Sequence, residues 1–270
     1  MSLTNNNIDF SKLVISEIAQ VRAFSRVDGS FLFEFDQIKE GSLEASSETV
    51  YAEGKNNVRL AAFDRNKGIR FTCSNGYIVD SALAFQMGGE ITTLGSEDNK
   101  TIRDTQIITA TTSNGSTLDT ITLSDTPVQD SVKYIYKLNG DGTPGASFSV
   151  ASVASDTEFA ITTGGVITLP TGTTAGTKFV VPYDKVVPVG KEIVNSGASY
   201  AGSVRLVIDL LCTHPCDGST FLAQATLPNA KVDGNFTLSI GGDPSVQEFA
   251  AEGMLDPCSE DKELCRIVLA

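Results

Sequence analysis

The chain has no tryptophan, one histidine and three methionines, and sets only 20 lysines and arginines against 33 aspartates and glutamates. Each shortage excludes something. A Ser–His or Cys–His pair can use only His214, which sits among thiols, so nucleophilic hydrolysis is not expected. Carboxylate pairs such as Asp64 with Asp80 or Asp243 with Glu248 are what chance supplies among 33 acids, and the aromatic tryptophans of sugar-cleaving sites are missing. A net charge of −13 and a pI near 4.5 disfavour nonspecific binding to nucleic acid or anionic membranes. Long apolar runs are absent from residues 1–25, which contain Asp9 and Glu17, so neither a signal peptide nor a membrane span is expected and synthesis in a cytoplasm is. Five cysteines are an odd number, and reduced thiols are the default.

What is present suits strands and turns. Hydrophobic residues make up 41% of 270, enough for one large core or two modest ones, and the 24 glycines stand among abundant Thr, Ser, Val and Ala. Residues 221–252 predict a three-stranded meander. In its middle strand Phe236, Leu238 and Ile240 alternate with Thr237 and Ser239, after a break at Pro228-Asn229 and before another at Gly241 to Pro244.

In chain order, residues 1–30 read as an N-terminal arm, with a helix or strand over 10–21. FLFEFD (31–36) and SLEAS (42–46) alternate around a polar turn at Gly41, and residues 48–67 are polar and turn-rich, as a long loop is. GIRFTC (68–73) alternates again. The next segment predicts a helix over 78–87 with Asp80 or Ser81 as N-cap, Leu83, Ala84 and Met87 on one face, and Gly88-Gly89 as its stop. From 101 to about 183 charge thins out and seven short strands recur: TQIITATT, TLDTITL, VKYIYKL, ASFSV, EFAIT, GVITL and TKFVVPY. NGDG at 139–142 and Gly164-Gly165 mark hairpins. Residues 101–185 therefore read as a small β-sandwich inserted into a host domain of 31–100 and 186–270. The host resumes with strands at 189–194, 203–212 and 266–269.

Candidate chemistry is thin. CTHPC places Cys212, His214 and Cys216 within five residues, and Cys258 and Cys265 could complete a zinc site; the spacing matches no familiar zinc pattern, so a turn carrying spare thiols or one oxidised pair is the plainer reading. Asp28-Gly29, Asp141-Gly142 and Asp233-Gly234 read as β-turns before calcium loops. Glycine clusters such as GGD at 241 lack the context of a phosphate loop. No catalytic residue, metal or cofactor is expected, and the chain is read as no enzyme.

Segments 31–94 (FLFEFDQIKEGSLEASSETV through DSALAFQ) and 223–269 (with VDGNFTLSIGGDPSVQEFAAEGMLD and DKELCRIVL) resemble structural proteins of tailed bacteriophages, above all major tail tube proteins. The likeness covers about half the chain, in texture and order of segments. It implies a mainly β fold, a sandwich or barrel with a flanking α-helix, six copies of which form a ring whose inner sheets join into one barrel, the rings stacking into a conduit for genome delivery. The 101–185 module is then an outward addition, similar to the immunoglobulin-like domains of phage virions. Partners implied are further copies of the chain, the tape-measure and tube-terminator proteins, the sheath in a contractile tail, and DNA passing through the lumen. The location implied is the virion tail.

In such tubes a loop and terminal arms reach the adjacent ring, which assigns Phe10, Glu48, Glu53 and Lys55 to inter-subunit contacts, together with the basic cluster Arg59, Arg65, Lys67 and Arg70, which by itself reads as a subunit-contact or solvated face. A negative lumen would repel the phosphates passing through it, and sheet edges that are a hazard in a monomer would pair between subunits. Two other readings predict different behaviour: a capsid decoration or head–tail connector protein would bind capsid lattices without making tubes, and a glycan-binding module at 101–185 would hold cell-surface carbohydrate, a reading weakened by the lack of Trp and the scarcity of Tyr.

Overall fold

The computed structural model describes residues 13–111, 119–216, 218–237, 246–256 and 262–269. The fold is mainly β. In chain order the elements are β1 (Val14–Ser25), β2 (Phe31–Phe35), β3 (Ile38–Glu53), β4 (Arg59–Asn75), α1 (Asp80–Gln86), β5 (Ile91–Gly95), β6 (Thr101–Thr109), β7 (Thr120–Thr122), β8 (Tyr134–Leu138), β9 (Pro144–Ala151), β10 (Glu158–Ile161), β11 (Val166–Thr168), β12 (Lys178–Val186), β13 (Val189–Ile193), β14 (Ser203–Thr213), β15 (Thr220–Val232), β16 (Gln247–Gly253) and β17 (Arg266–Leu269). They form two compact units, Met1–Ile91 with Ile193–Ala270, and Thr92–Glu192. β5 and β13, where the chain passes between the units, pair as a two-stranded ribbon.

The first unit is one eight-stranded sheet in the order β2-β1-β14-β15-β16-β4-β3, with β17 paired to β15. Its core draws on strands from both ends of that path: Val21, Ala23, Phe33, Phe35, Leu206, Ile208, Ala225 and Leu227 pack in one cluster with Phe71, Phe249 and Ala251. A sheet whose two ends share a core must curl over on itself. Phe33, Phe35 and Phe249 meet with ring centroids 5.2–5.6 Å apart, and Phe85 of α1 approaches Phe33 at 5.8 Å, distances at which tilted and edge-to-face rings attract. A buried amide chain fastens the helix: the Gln247 side chain donates to Gln86 Oε1 at 3.1 Å, Gln86 donates to the Glu248 carbonyl at 3.0 Å, and Val79 N donates to Gln247 Oε1 at 2.7 Å. Satisfied polar groups of this kind fix one docking geometry where an apolar contact would tolerate several.

Several expectations need correction. Residues 14–25 are β1, flanked on both sides by β2 and β14 and burying Val21 and Ala23, so they are no arm. Residues 48–67 are no loop: β3 and β4 pair along their length and leave only 54–58 as the turn, and Gly41 lies inside β3. The break placed at Pro228-Asn229 lies within β15. There the ladder to β14 shifts register between Val204 and Leu206, and such a bulge tolerates a proline that cannot donate to the ladder. Asn235 to Thr237 form no strand, and the rest of that expected strand lies outside the described residues. Helix α1 has Val79 at its N-cap without a side-chain cap, and it buries Ala82, Ala84 and Gln86 instead of Leu83 and Met87, because it lies over the amide chain. It does stop where expected, with Gly88 at φ +68°.

In the second unit all seven expected strands are strands, in the order β6-β12-β8-β9-β10-β11-β7. They make one continuous sheet that includes a parallel pair, β9 with β10. Ile108, Ile135, Phe159, Ile167, Phe179, Val181 and Tyr183 form its own core. The hairpins close at 139–143 and 162–165, with Gly142 and Gly165 at positive φ.

Candidate functional site

The distal half of the β3–β4 hairpin is the most unusual surface of the first unit. From Ser46 to Lys67 no residue is buried. The sequence explains why a strand pair forms without a core beneath it. Val50 lies opposite Phe63 and Ala52 opposite Ala61 on one face; Thr49 lies opposite Asp64 and Tyr51 opposite Ala62 on the other. Cross-strand pairs on one face are what hold such a ribbon. Thr49 Oγ1 donates to Asp64 at 2.8 Å, Asn66 donates to Glu48 at 2.7 Å, and the Arg59 guanidinium stacks 3.9 Å above the Tyr51 ring. The turn uses Asn56 and Asn57 at φ +63° and +57°, a conformation asparagine tolerates better than most residues. Leu60 is 70% exposed, Val58 57% and Phe63 55%. An isolated two-stranded ribbon is marginally stable in water, and one that also exposes large apolar side chains fits a surface that is covered in its working state.

The expected contact residues fall mostly on this arm. Glu48 and Arg65 face one another across it, as do Glu53 and Arg59 near the tip, Lys55 lies in the turn, and Lys67 is exposed on β4. Arg70 stands apart, near the body of the sheet, and bridges Asp233 at 3.4 Å. Phe10 lies outside the described residues. Sequence reasoning missed Val58, Leu60 and Phe63, because apolar residues among charges read as loop filler until their strand pairing is known.

Register assigns the solvent-facing side of the sheet. Across β16, β4 and β3 the rows are Glu248, Ser74, Glu40; then Ala250, Thr72, Ser42; then Glu252, Arg70, Glu44. That face carries four glutamates against one arginine, and its other side chains are small. Across β2, β1, β14 and β15 the face opposite the core is instead charge-paired around a buried acid: Arg22 bridges Asp209, and Gln224 donates to Asp209 at 2.8 Å. Among the described residues β2 and β3 end the sheet path, so each has one edge without a partner strand.

The cysteine–histidine stretch forms a hairpin turn between β14 and β15, with His214 N donating to the Ser219 carbonyl at 2.9 Å. Cys212 is buried and Cys216 exposed, and no cluster of three metal-ligating side chains occurs among the described residues; Cys258 lies outside them. Burial pushes the Cys73 thiol up to about 12, with the Glu248 charge adding to it, and burial alone raises Cys212 and Cys265. Of the carboxylate pairs, Asp64 is on the hairpin and bonded to Thr49, Asp80 begins α1, and Asp243 lies outside the described residues. Asp28 sits in a β-turn and is lowered to about 2 by hydrogen bonds, the largest from Ser25 and the next from Ser30. No helix among the described residues is long and apolar enough to cross a membrane.

Comparison with known proteins adds one match. The model of the YomU/Tube protein family fits residues 13–264. No curated protein matches the chain.

Proposed function

The chain belongs to the YomU/Tube protein family, and from that membership we propose that it is the repeating subunit of a bacteriophage tail tube, a virion structural protein that closes into rings, six copies each, which stack into the conduit for DNA. The observation that carries this reading is the hairpin arm: a ribbon with no buried residue from Ser46 to Lys67, on which Val58, Leu60 and Phe63 stay more than half exposed. The occupant that fits is the next ring. Within a ring, the unpaired edges of β2 and β3 supply main-chain donors and acceptors for neighbouring copies. The glutamate-rich face of β16, β4 and β3 is the surface suited to line the lumen, since acids repel phosphate and small side chains leave no grip on the duplex. Tape-measure and terminator proteins, and a sheath in a contractile tail, are the partners this role entails.

Replacing residues 49–64 by a two-residue Asn-Gly turn tests the reading, because Glu48 and Arg65, which would flank the new turn, are already paired. The full chain should assemble into fast-sedimenting polymers on concentration, and the shortened chain should keep its circular dichroism spectrum and stay small. Equal assembly by both would remove the arm from the mechanism.

A further inference from the structure

We propose that the second unit carries a binding site for an uncharged oligosaccharide, centred on Tyr134 and Tyr136. Of the chain's six tyrosines, these two stand on the same, solvent-facing side of β8, two residues apart, so their rings are spaced by about 7 Å along the strand. The intervening Ile135 is fully buried, which pins the strand and leaves the tyrosines no choice of face. Directly across in β9 lie Ser149 and Ser147, the cross-strand partners of Tyr134 and Tyr136. Two clefts of about 560 and 470 Å³ adjoin this strip, and Tyr134 lines both. Each volume lies in the range of small-molecule sites.

The polar groups decide the class of ligand. The second cleft is lined by two cations, Arg103 and Lys133, and two anions, Asp130 and Asp184. Arg103 is bonded to Asp184 at 3.0 Å, so the site offers paired donors and acceptors without a net field. A charged polymer, whether phosphate-rich or basic, gains nothing from such a site; a hydroxyl-rich neutral chain finds π faces for its C–H surfaces and charged groups for its hydroxyls. The rim is also set in advance. Ser131 accepts from the Asp184 amide at 3.2 Å, Val128 N donates to the Asp184 carbonyl at 2.7 Å, and Asp130 is held at φ +62°, an unusual conformation for a residue with a side chain. A rigid rim lowers the entropic cost of binding.

The site stands independently of the tube reading, since it uses only residues 103–184. The test is titration calorimetry of the full chain with cello-, malto- and chito-oligosaccharides of four to six units. At least one series should bind with millimolar-range affinity, and raising salt threefold should change that affinity less than twofold. Tyr134→Ala and Tyr136→Ala should each weaken it at least fivefold with an unchanged melting curve, whereas Tyr200→Ala in the first unit should leave it unaltered. Absence of binding by all three series, or binding indifferent to both tyrosines, would overturn the proposal. So would a concentration-dependent dimer that Tyr134→Ala abolishes, which would make this face a protein contact. Tube assembly by the tyrosine variants distinguishes failure here from failure of the tube reading.

Discussion

Gly88 ends α1 with φ +68°, and a Cβ at that position would stand 2.7 Å from backbone atoms of Tyr200. Left-handed strain and a backbone clash act together there, so Gly88→Ala should cost about 2 kcal/mol or more and lower the melting temperature by several degrees. An unchanged thermal melt would show that the α1 turn is not packed as described. The glycine's role as helix stop was legible, because Gly-Gly after an apolar-periodic run signals it; the crowding by Tyr200 was not, because that residue is remote in sequence. Lys185 offers a second test. It lies between Asp104 at 2.7 Å and Asp125 at 2.9 Å. Hydrogen bonds to both carboxylates, Asp104 first, raise its pKa, and its own hydrogen bond is the largest cause lowering that of Asp104. The lysine's contribution is therefore complete below the ordinary lysine value and is lost as pH rises through the raised folded value. The aspartate's contribution is complete above the ordinary carboxylate value and is lost as pH falls through the depressed one. Acidification removes the aspartate's contribution, so Lys185→Gln should lose less melting temperature than the parent between about pH 6 and pH 3. An equal or larger acid loss in the variant would contradict the assignment.

At the scale of elements, pattern and burial parted company in two places. β8, β10, β11 and β12 of the second unit announced themselves because each buries residues on one face, and a dry face writes period-two alternation into the sequence. The hairpin arm has no dry face, so residues 48–67 carry no such alternation and resemble a loop; its pairing is held by cross-strand contacts that only the register reveals. β1 was half legible, as a helix or strand, but its place between β2 and β14 depends on partners up to nearly 200 residues away, a pairing that local pattern does not encode. The acidic face is an element-scale property too. Glu40, Glu44, Glu248 and Glu252 come from three strands and gather only through their pairing. Changing all four to lysine should make assembled protein retain duplex DNA in a gel-shift assay, with retention falling steeply as salt rises, while the parent leaves DNA free. If the lysine variant also leaves DNA free, these rows do not line the conduit.

For the whole molecule, the composition alone pointed to a β-rich chain, and the fold is mainly β. The second unit, Thr92–Glu192, has its own sheet and its own core. Where the acids gather and which edges stay open were illegible, since both follow from sheet order, and sheet order is set by contacts between distant strands. The central claim is that copies of this chain build a hollow tube. Electron microscopy of the purified full chain, concentrated and left to assemble, tests it most directly. The account predicts hollow tubes with a regular axial repeat and a central channel wide enough for duplex DNA. Solid fibres, or rings that never stack at any concentration, would contradict it.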